Sequence, residues 1–252
     1  MQKHRLYIDH LIIPNKIIRL SDTKAHYCKH VLRLRENNVI TIFNGDGFEY
    51  NAVITEITKK TISIIPSNHS YKEIPFLRKI NIGQSLIRKE KMDMIIQKIT
   101  ELGINEITPL HTKYTTVKLP ENRLQSKLEH WKKIAQSACE QCERNILPVI
   151  NTPITIKEFI IKSSKESCRL IIDPRATISI NNIKPKHRNI DIMIGPEGGF
   201  SENEIQSAIE LDYLPISLGP RILRTETAAM ITIALLQSKW GDMGADLVTR
   251  KR

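Results

Sequence analysis

Residues 190–200 read Ile-Asp-Ile-Met-Ile-Gly-Pro-Glu-Gly-Gly-Phe. The first five are typical of a buried strand, and the next six form a loop rich in glycine. A strand-to-helix turn commonly needs a single glycine, so this loop favours close approach of a ligand over a simple tight turn. It has neither the glycine spacing of a dinucleotide-binding turn nor the Lys-Ser/Thr of a Walker loop. Ser201 and Glu204 then form a capping box, which predicts a helix through Leu211.

The alternation of strand and helix extends on both sides of this segment. Apolar residues at helical spacing mark residues 92–102, with Gly103 at the C-cap position, and also 124–142 and 225–239. Further strands are predicted at 79–83, 104–110, 169–173 and 214–218. This alternation predicts an α/β fold with a mostly parallel sheet that helices cover on both faces.

The first 70 residues have a different pattern, made of short β segments and one helix. Residues 39–43 and 50–57 flank Asn44-Gly45-Asp46-Gly47, a hairpin signal because glycine accepts the positive φ of such turns. Helical spacing occurs at 22–32, and other extended segments are predicted at 5–8, 11–13 and 61–65. A small β-barrel with one helix fits this pattern. Residues 66–75 contain proline, serine and asparagine and read as a linker.

A second loop follows the strand predicted at 214–218 and reads Gly219-Pro220-Arg221-Ile222-Leu223-Arg224-Thr225-Glu226-Thr227-Ala228. Two arginines and a glutamate beside a helix start could bind an anion or orient a substrate. They suit simple helix electrostatics equally well, with Glu226 in the first turn and both arginines solvated. Residue chemistry leaves these alternatives even. In open α/β sheets, ligands bind beyond the carboxyl ends of the strands, which is where both loops are expected.

The charge and composition of the chain narrow its class of partner. The 252 residues include 38 Lys and Arg against 27 Asp and Glu, and a net charge of +11 favours nucleic acid over a small substrate. Apolar runs are too short for a membrane span and the N-terminus lacks a secretory signal, so we expect a cytoplasmic protein without a membrane partner. Cys139 and Cys142 form a CxxC in a helical pattern without a second ligand pair, which favours packing over a metal site.

Several motifs together resemble those of one enzyme family. The loop at 195–200 with Ser201 and Glu204, and the second loop at 218–228, resemble the paired signature of the SPOUT methyltransferases. More narrowly, they resemble the ribosomal RNA small subunit methyltransferase E family, as do motifs over nearly the whole chain. Those motifs are Arg5, His30-Val31-Leu32-Arg33, Gln97-Lys98, Thr100-Glu101-Leu102-Gly103, Trp131, Glu140-Gln141-Cys142, Arg144 and Pro148.

The resemblance implies a definite fold and reaction. It implies a PUA-like RNA-binding β-barrel at residues 1–70 and a SPOUT α/β domain at 76–242, with a deep trefoil knot in the second. It implies S-adenosyl-L-methionine (AdoMet) as the methyl donor and a homodimer as the working unit. The implied substrate is N3 of a uridine in 16S rRNA, near the decoding site of the assembled small ribosomal subunit.

The resemblance also assigns roles to individual residues. The cofactor-binding residues carried over are Ile172, Gly195, Pro196, Glu197, Gly198, Gly199, Leu218, Gly219, Ile222 and Leu223. Charge and loop position make Arg224 the candidate stabiliser of a uracil anion, and Glu226 or Glu197 the candidate base. Glu197 fits an interface or helix-start contact at least as well. The candidates for RNA binding are Arg5, Lys29, His30 and Arg33, although His30 equally suits a partly buried position.

Three other functions are weighed against this one. A SPOUT enzyme could act elsewhere, for example on a ribose 2′-hydroxyl of tRNA or 23S rRNA, but the motifs at Arg5 and 30–33 disfavour this. A non-catalytic RNA-binding protein of ribosome assembly could keep the fold, but the intact glycines and the complete 224–228 run disfavour decay of the cofactor site. An enzyme of small molecules fits the net charge and the N-terminal barrel least well.

Overall fold

A computed structural model describes residues 4–73, 78–117, 119–184 and 187–243. The chain divides into two compact units. The first contains the described residues up to 73 together with Cys139–Leu147, and the second contains those of 78–138 and from 148 onward. Within these described ranges, no helix is both long and apolar enough to cross a membrane. The predicted boundaries at 1–70 and 76–242 stay predictions.

The first unit is a five-stranded sheet with a short helical segment. Its strands are β1 (Arg5–Tyr7), β2 (Ile18–Ser21), β3 (Val39–Phe43), β4 (Phe48–Ile57) and β5 (Thr61–Lys72), in the order β1-β3-β4-β5-β2. The predicted hairpin joins β3 and β4, and both Gly45 and Gly47 in its turn have positive φ. The helical segment is α1 (Asp22–His26), which continues as a π-helical turn at Tyr27–Val31. Residues 11–13, expected to be extended, form no strand.

The linker predicted at 66–75 is wrong for the part that the structure describes, because β5 continues through Pro66 to Lys72. Beyond Ile64, β5 pairs with β4 alone, since β2 reaches only to that residue. Proline lacks an N–H and is tolerated where one side of a strand is unpaired. The Pro66 carbonyl still accepts a hydrogen bond from the Asn15 N–H, at 2.8 Å. The composition of residues 66–75 therefore suggested a linker, whereas the described part of this segment is a strand at the edge of the sheet.

Residues 139–147 belong to the first unit, although they follow on from a helix whose earlier turns belong to the second. The Tyr7 N–H donates to the Glu140 carboxylate at 2.8 Å. The Glu73 carboxylate accepts from the backbone N–H groups of Asn145 and Ile146. These side-chain to backbone contacts span more than 70 residues of chain, so no local pattern predicts them.

The second unit is built on a parallel sheet, as predicted. Its strands run in the order β12-β10-β11-β6-β7-β8, and β9 also pairs with β7. Every strand pair in it is parallel. The strands are β6 (Lys79–Ser85), β7 (Glu106–His111), β8 (Val149–Ile150), β9 (Ile154–Thr155), β10 (Ser167–Ile172), β11 (Asn189–Ile194) and β12 (Leu214–Ile216). The helices are α2 (Lys89–Glu101), α3 (Glu121–Cys142), α4 (Ile156–Lys162), α5 (Glu202–Ile209) and α6 (Thr225–Trp240).

Helices cover both faces of this sheet. Successive residues of a strand pack into two different apolar cores, one on each face. In β11, Ile192 and Ile194 pack in the core that contains α2, α3 and α6. Met193 between them packs with Phe159 of α4 and Ala208 of α5. This period of two is the strand geometry that gives each face its own apolar layer. The predicted α/β class with a covered parallel sheet is confirmed, and the knot stays a prediction.

One helix escaped prediction although its sequence carries a signal. Thr155 is the N-cap of α4, and it forms a reciprocal capping box with Glu158. The same device opens α5 at Ser201 and Glu204, where it was predicted. The α5 helix ends at Ile209 rather than Leu211, and α2 ends with Gly103 at φ +93°, as a C-cap glycine should.

Candidate cofactor site and RNA-binding surface

The residues predicted to bind the cofactor converge at one edge of the parallel sheet. Ile172 ends β10, the loop at 195–199 follows β11, and the loop at 218–223 follows β12. These strands are neighbours in the order β12-β10-β11, and all are parallel. Their carboxyl ends therefore lie side by side, which is the position where ligands bind in sheets of this kind.

The glycines of the two loops create close backbone packing and open space. A Cβ on Gly195 would lie 3.0 Å from the carbonyl carbon of Gly199, so this position admits no side chain without movement. Gly199 and Gly219 have φ of +69° and +126°, a region that L-residues with side chains rarely adopt. Apart from each glycine and its two chain neighbours, no atom of the described residues lies within 4 Å of a Cβ at either position. The loops thus present bare backbone to open space, as a backbone-held cofactor requires.

A buried hydroxyl joins the two loops. The Thr225 Oγ1 donates to the Gly195 carbonyl at 2.7 Å and accepts from the Gln84 Nε2 at 3.1 Å. Thr225 and Gln84 are both buried. Gln84 lies near the end of β6 and Gly195 follows β11, so one side chain ties two strand ends to the start of α6. The sequence analysis did not single out either residue, because their pairing depends on strand order.

Two more buried polar atoms lie at the same strand end. The Gln84 Oε1 and the Ser85 Oγ have no hydrogen-bond partner among the described residues. The Gln84 Nε2 also donates to the Ser85 carbonyl, at 3.1 Å. Buried polar groups nearly always have a hydrogen-bond partner. Two such atoms without one therefore indicate that these polar side chains serve a purpose other than packing.

The apolar residues predicted for the cofactor site are of two kinds. Ile172, Leu218 and Leu223 are partly buried and pack against the main core of the second unit. Ile222 instead is 87% exposed. Three of these residues can therefore supply an apolar wall at the strand ends, while Ile222 offers its side chain to solvent.

The two candidate bases share one counterion. The Lys91 Nζ lies 2.9 Å from the Glu197 carboxylate and 3.6 Å from the Glu226 Oε2. The hydrogen bond from Lys91 lowers the pKa of Glu197, and it raises the pKa of Lys91 itself. Glu226 is the less exposed of the two carboxylates, and its Oε2 accepts no hydrogen bond from the described residues. Lys91 was not predicted. A lysine in the first turn of a helix is unfavourable next to the helix dipole, and this could have marked Lys91 as a residue with another role.

Arg224 lies at the N-cap of α6, next to Thr225. Its side chain is exposed, and its carbonyl accepts the first hydrogen bond of the helix, from the Ala228 N–H at 2.8 Å. The backbone of Arg224 is thus fixed by the helix start, while its guanidinium is free to reach into the space beyond the loops.

The four candidates for RNA binding differ in exposure. Lys29, whose Nζ donates to the Thr58 and Lys59 carbonyls, lies at the surface with His30 and Arg33. Arg5 is different: its side chain is 7% exposed, and it donates to the Glu49 carboxylate at 2.5 Å and to the Asn145 side chain at 2.6 Å. Burial of this kind fits a residue that shapes the first unit, whereas the other three can meet a polyanion directly.

Of the two CxxC cysteines, Cys139 fits the packing interpretation, while Cys142 is partly exposed. Cys139 is fully buried, and burial raises its pKa to about 12. A thiol in this state is a poor nucleophile and a poor metal ligand, because both roles need the thiolate.

Known families match both units. Residues 72–237 match the RNA methyltransferase domain, and residues 20–67 match the RNA methyltransferase PUA domain. The second match confirms the PUA-like character predicted for the N-terminal part.

Individual proteins match over nearly their whole length. The ribosomal RNA small subunit methyltransferase E of Buchnera aphidicola subsp. Schizaphis graminum is 38% identical, over 95% of this chain and 97% of that protein. The structure of a methyltransferase from Legionella pneumophila with bound SAM has a TM-score of 0.90 and 33% identity, over 95% of this chain and 98% of that one. A ribosomal RNA small subunit methyltransferase E from Neisseria gonorrhoeae bound to S-adenosyl methionine has a TM-score of 0.88 and 32% identity, with the same coverage.

Proposed function

The chain belongs to the ribosomal RNA small subunit methyltransferase E family, and we propose that it methylates N3 of a uridine in 16S rRNA near the decoding site of the assembled small subunit. The coarser part of this statement, an AdoMet-dependent methyltransferase of small-subunit rRNA, follows from the family. The observation that carries the proposal is the convergence of both glycine loops at adjacent parallel strand ends. The proposal also includes a knotted chain, a homodimer and a cytoplasmic location.

The residues at the strand ends fit AdoMet. Gly199 and Gly219 leave open space beside bare backbone, where N–H and C=O groups can hold the polar parts of the cofactor. Ile172, Leu218 and Leu223 supply an apolar wall at the same edge. When bound, AdoMet supplies an electrophilic methyl group on a sulfonium, so the chain needs no nucleophile or metal of its own.

The work left for the side chains is to place the base and handle its proton. Uracil N3 carries a weakly acidic proton, which must leave as the methyl group is transferred. The exposed guanidinium of Arg224, whose backbone is fixed at the start of α6, suits stabilisation of the developing uracil anion. Exclusion of water and alignment of the reacting atoms would supply much of the remaining rate enhancement.

Of the two candidate bases, Glu226 is the better supported. Glu197 is held ionised by its hydrogen bond to Lys91, and a lowered pKa makes a carboxylate a weaker proton acceptor. The Glu226 Oε2 is buried and lies farther from Lys91, at 3.6 Å. Glu197 and Lys91 then act together as a fixed ion pair at the mouth of the site.

A direct test incubates the protein with labelled AdoMet and small ribosomal subunits from cells that lack the gene. The methylated nucleoside is then mapped by mass spectrometry. We expect 3-methyluridine at one position near the decoding site. Incorporation only into tRNA or 23S rRNA would overturn the target, and absence of AdoMet binding would favour a non-catalytic RNA-binding protein.

Arg224→Ala tests the catalytic assignment within the same assay. We expect turnover to fall by about 100-fold or more, in the range found when one donor to a developing oxyanion is removed. AdoMet affinity, measured by calorimetry, should stay near that of the wild type. The exposed neighbour Arg221 provides a matched control, and Arg221→Ala should retain most of the turnover. Unchanged turnover in Arg224→Ala would refute the role of this residue.

A further inference from the structure

A cavity of about 540 Å³ lies between the cofactor loop at 195–199 and the loop that follows β7. It is lined by Lys113, Tyr114, Thr115, Thr116, Glu197 and Gly198. All six belong to the second unit, at the carboxyl ends of β7 and β11. The cavity is therefore next to the predicted cofactor residues but is built mainly from a segment to which the sequence analysis gave no role.

Tyr114 dominates this cavity and is 45% exposed. Single exposed aromatic side chains are ordinary on soluble proteins, so the informative feature of Tyr114 is its position beside the loop at 195–199 rather than its exposure. The Lys113 Nζ lies 5.6 Å from the centre of the ring. A cation and a partly exposed aromatic ring thus occur together.

The turn that carries Tyr114 is held by hydrogen bonds on both sides. The Thr115 Oγ1 accepts from the Thr112 N–H at 3.0 Å, and the Thr115 N–H donates to the Thr112 carbonyl at 3.1 Å. The Lys113 N–H donates to the Glu204 carboxylate at 2.8 Å, the same carboxylate that caps α5. The backbone is fixed while the ring stays uncovered, which is the arrangement of a preformed contact surface.

Tyr114 also lies beside the cofactor loop. A Cβ added to Gly198 would lie 3.2 Å from the Tyr114 Cβ, so the absence of a side chain at 198 is what allows this approach. Anything stacked on the ring would therefore lie against the loop at 195–199. The position is close to the methyl donor if AdoMet is held by that loop.

The charges around the cavity suit an anionic backbone with a neutral base. Lys113 is exposed beside the ring, and Lys91 and Arg88 act on Glu197 at the opposite wall. A cation beside an aromatic ring is a combination that binds unstacked nucleotides, with phosphate on the cation and base on the ring.

We infer that Tyr114 is the platform on which an unstacked base of the RNA substrate stacks beside the cofactor loop, with Lys113 contacting the adjacent phosphate. This inference rests on the proposed function, because it names how the same site holds its RNA. A base inside folded RNA must be unstacked before its N3 can be reached, and a stacking surface at the destination offsets part of that cost. Tyr114 would thus set the affinity for RNA without contributing to the binding of AdoMet.

The test compares Tyr114→Phe, which keeps the ring, with Tyr114→Leu, which keeps a similar apolar bulk without it. Steady-state methylation of small subunits is measured together with AdoMet affinity by calorimetry and oligomeric state by size-exclusion chromatography. For Tyr114→Leu we expect kcat/KM for the subunit to fall by about tenfold or more, from the loss of one base-aromatic stack. Tyr114→Phe should stay within about twofold of the wild type, since the stacking face is kept.

The expected pattern also includes unchanged AdoMet affinity and melting temperature for both variants, which a merely structural role for Tyr114 would not give. Equal kcat/KM for Tyr114→Leu and wild type would overturn this inference while leaving the proposed function standing. A fall in kcat/KM that follows a change of oligomeric state would also overturn it, in favour of a subunit contact. If the wild type itself methylates no small subunit, the proposed function fails and this inference fails with it.

Discussion

Thr225→Val removes the hydroxyl that joins the two cofactor loops while keeping nearly the same shape. In the wild type this hydroxyl donates to the Gly195 carbonyl at 2.7 Å and accepts from the Gln84 Nε2 at 3.1 Å. Both Thr225 and Gln84 are buried, so water cannot replace the lost partner without a rearrangement. The variant therefore leaves one buried acceptor and one buried donor unpaired.

The magnitude follows from the cost of unpaired buried groups. Each such group costs about 1–3 kcal/mol, and the Gln84 amide keeps its second hydrogen bond, so we expect a loss of about 2–4 kcal/mol. For a chain of this length that corresponds to a fall in melting temperature of roughly 4–16 °C. If the loop at 195–199 moves to relieve the strain, part of the loss should appear as weaker AdoMet binding instead.

The assay measures thermal unfolding and AdoMet affinity together, for Thr225→Val and for Thr225→Ser, which keeps the hydroxyl. Thr225→Ser should lose much less on both readouts. Gln84→Leu combined with Thr225→Val should cost less than the sum of the single variants, because residues in one hydrogen-bond chain are coupled. If Thr225→Val matches wild type in both stability and affinity, the bridge does not hold the loops and the reasoning is refuted.

Three further predictions concern charge. The pKa of Glu197 is lowered from 4.5, so its pairing with Lys91 stabilises the fold above that pH and is lost as pH falls through the lowered pKa. The difference in melting temperature between wild type and Lys91→Met should accordingly be larger at pH 7 than at pH 3. Arg5→Met should lower the free energy of unfolding by about 2–4 kcal/mol, since it leaves Glu49 without its partly buried partner; chemical denaturation measures this. Arg33→Ala should leave stability unchanged but reduce the salt dependence of RNA binding by about one charge, as filter binding at several salt concentrations would show. An Arg5→Met variant as stable as wild type, or an Arg33→Ala variant with the wild-type salt slope, would contradict these two assignments.

Local signals explain why much of the fold could be predicted from the sequence. The capping box at Ser201 and Glu204, the C-cap at Gly103 and the hairpin at 44–47 each depend on residues within a few positions of one another. Such features act through backbone geometry that is the same in every protein. The equivalent capping box at Thr155 and Glu158 shows that the α4 helix could also have been predicted from the sequence.

Features that depend on distant partners could not be predicted. Pro66 is tolerated in β5 because β2 begins only at Ile18, opposite Ile64, more than 40 residues earlier in the chain. Lys91 meets Glu197 only because β6 and β11 are neighbours, and that order is not written in any one segment. The same holds for Gln84 and Thr225, which are separated by 141 residues.

The candidate site divides in the same way. Glycine-rich loops and charged helix starts are visible in the sequence, and they led to the cofactor residues. Which carboxylate is held by a lysine, which arginine is buried and which tyrosine faces the loop are properties of the folded chain. Arg5 and Arg33 illustrate this, because both fit a basic RNA-binding pattern but only Arg33 is exposed.

The membership of residues 139–147 in the first unit bears on the order of events during synthesis. The chain emerges from the ribosome N-terminus first, and most domains fold once their own residues are available. Here Arg5 must wait for Asn145 and Tyr7 for Glu140, about half the chain later, and Glu73 must wait for Asn145, 72 residues later. A fragment ending at residue 75 would therefore expose these polar groups and should fold poorly. The N-terminal unit is consequently not a detachable module, and transplanting it into another enzyme would require carrying the 139–147 segment with it.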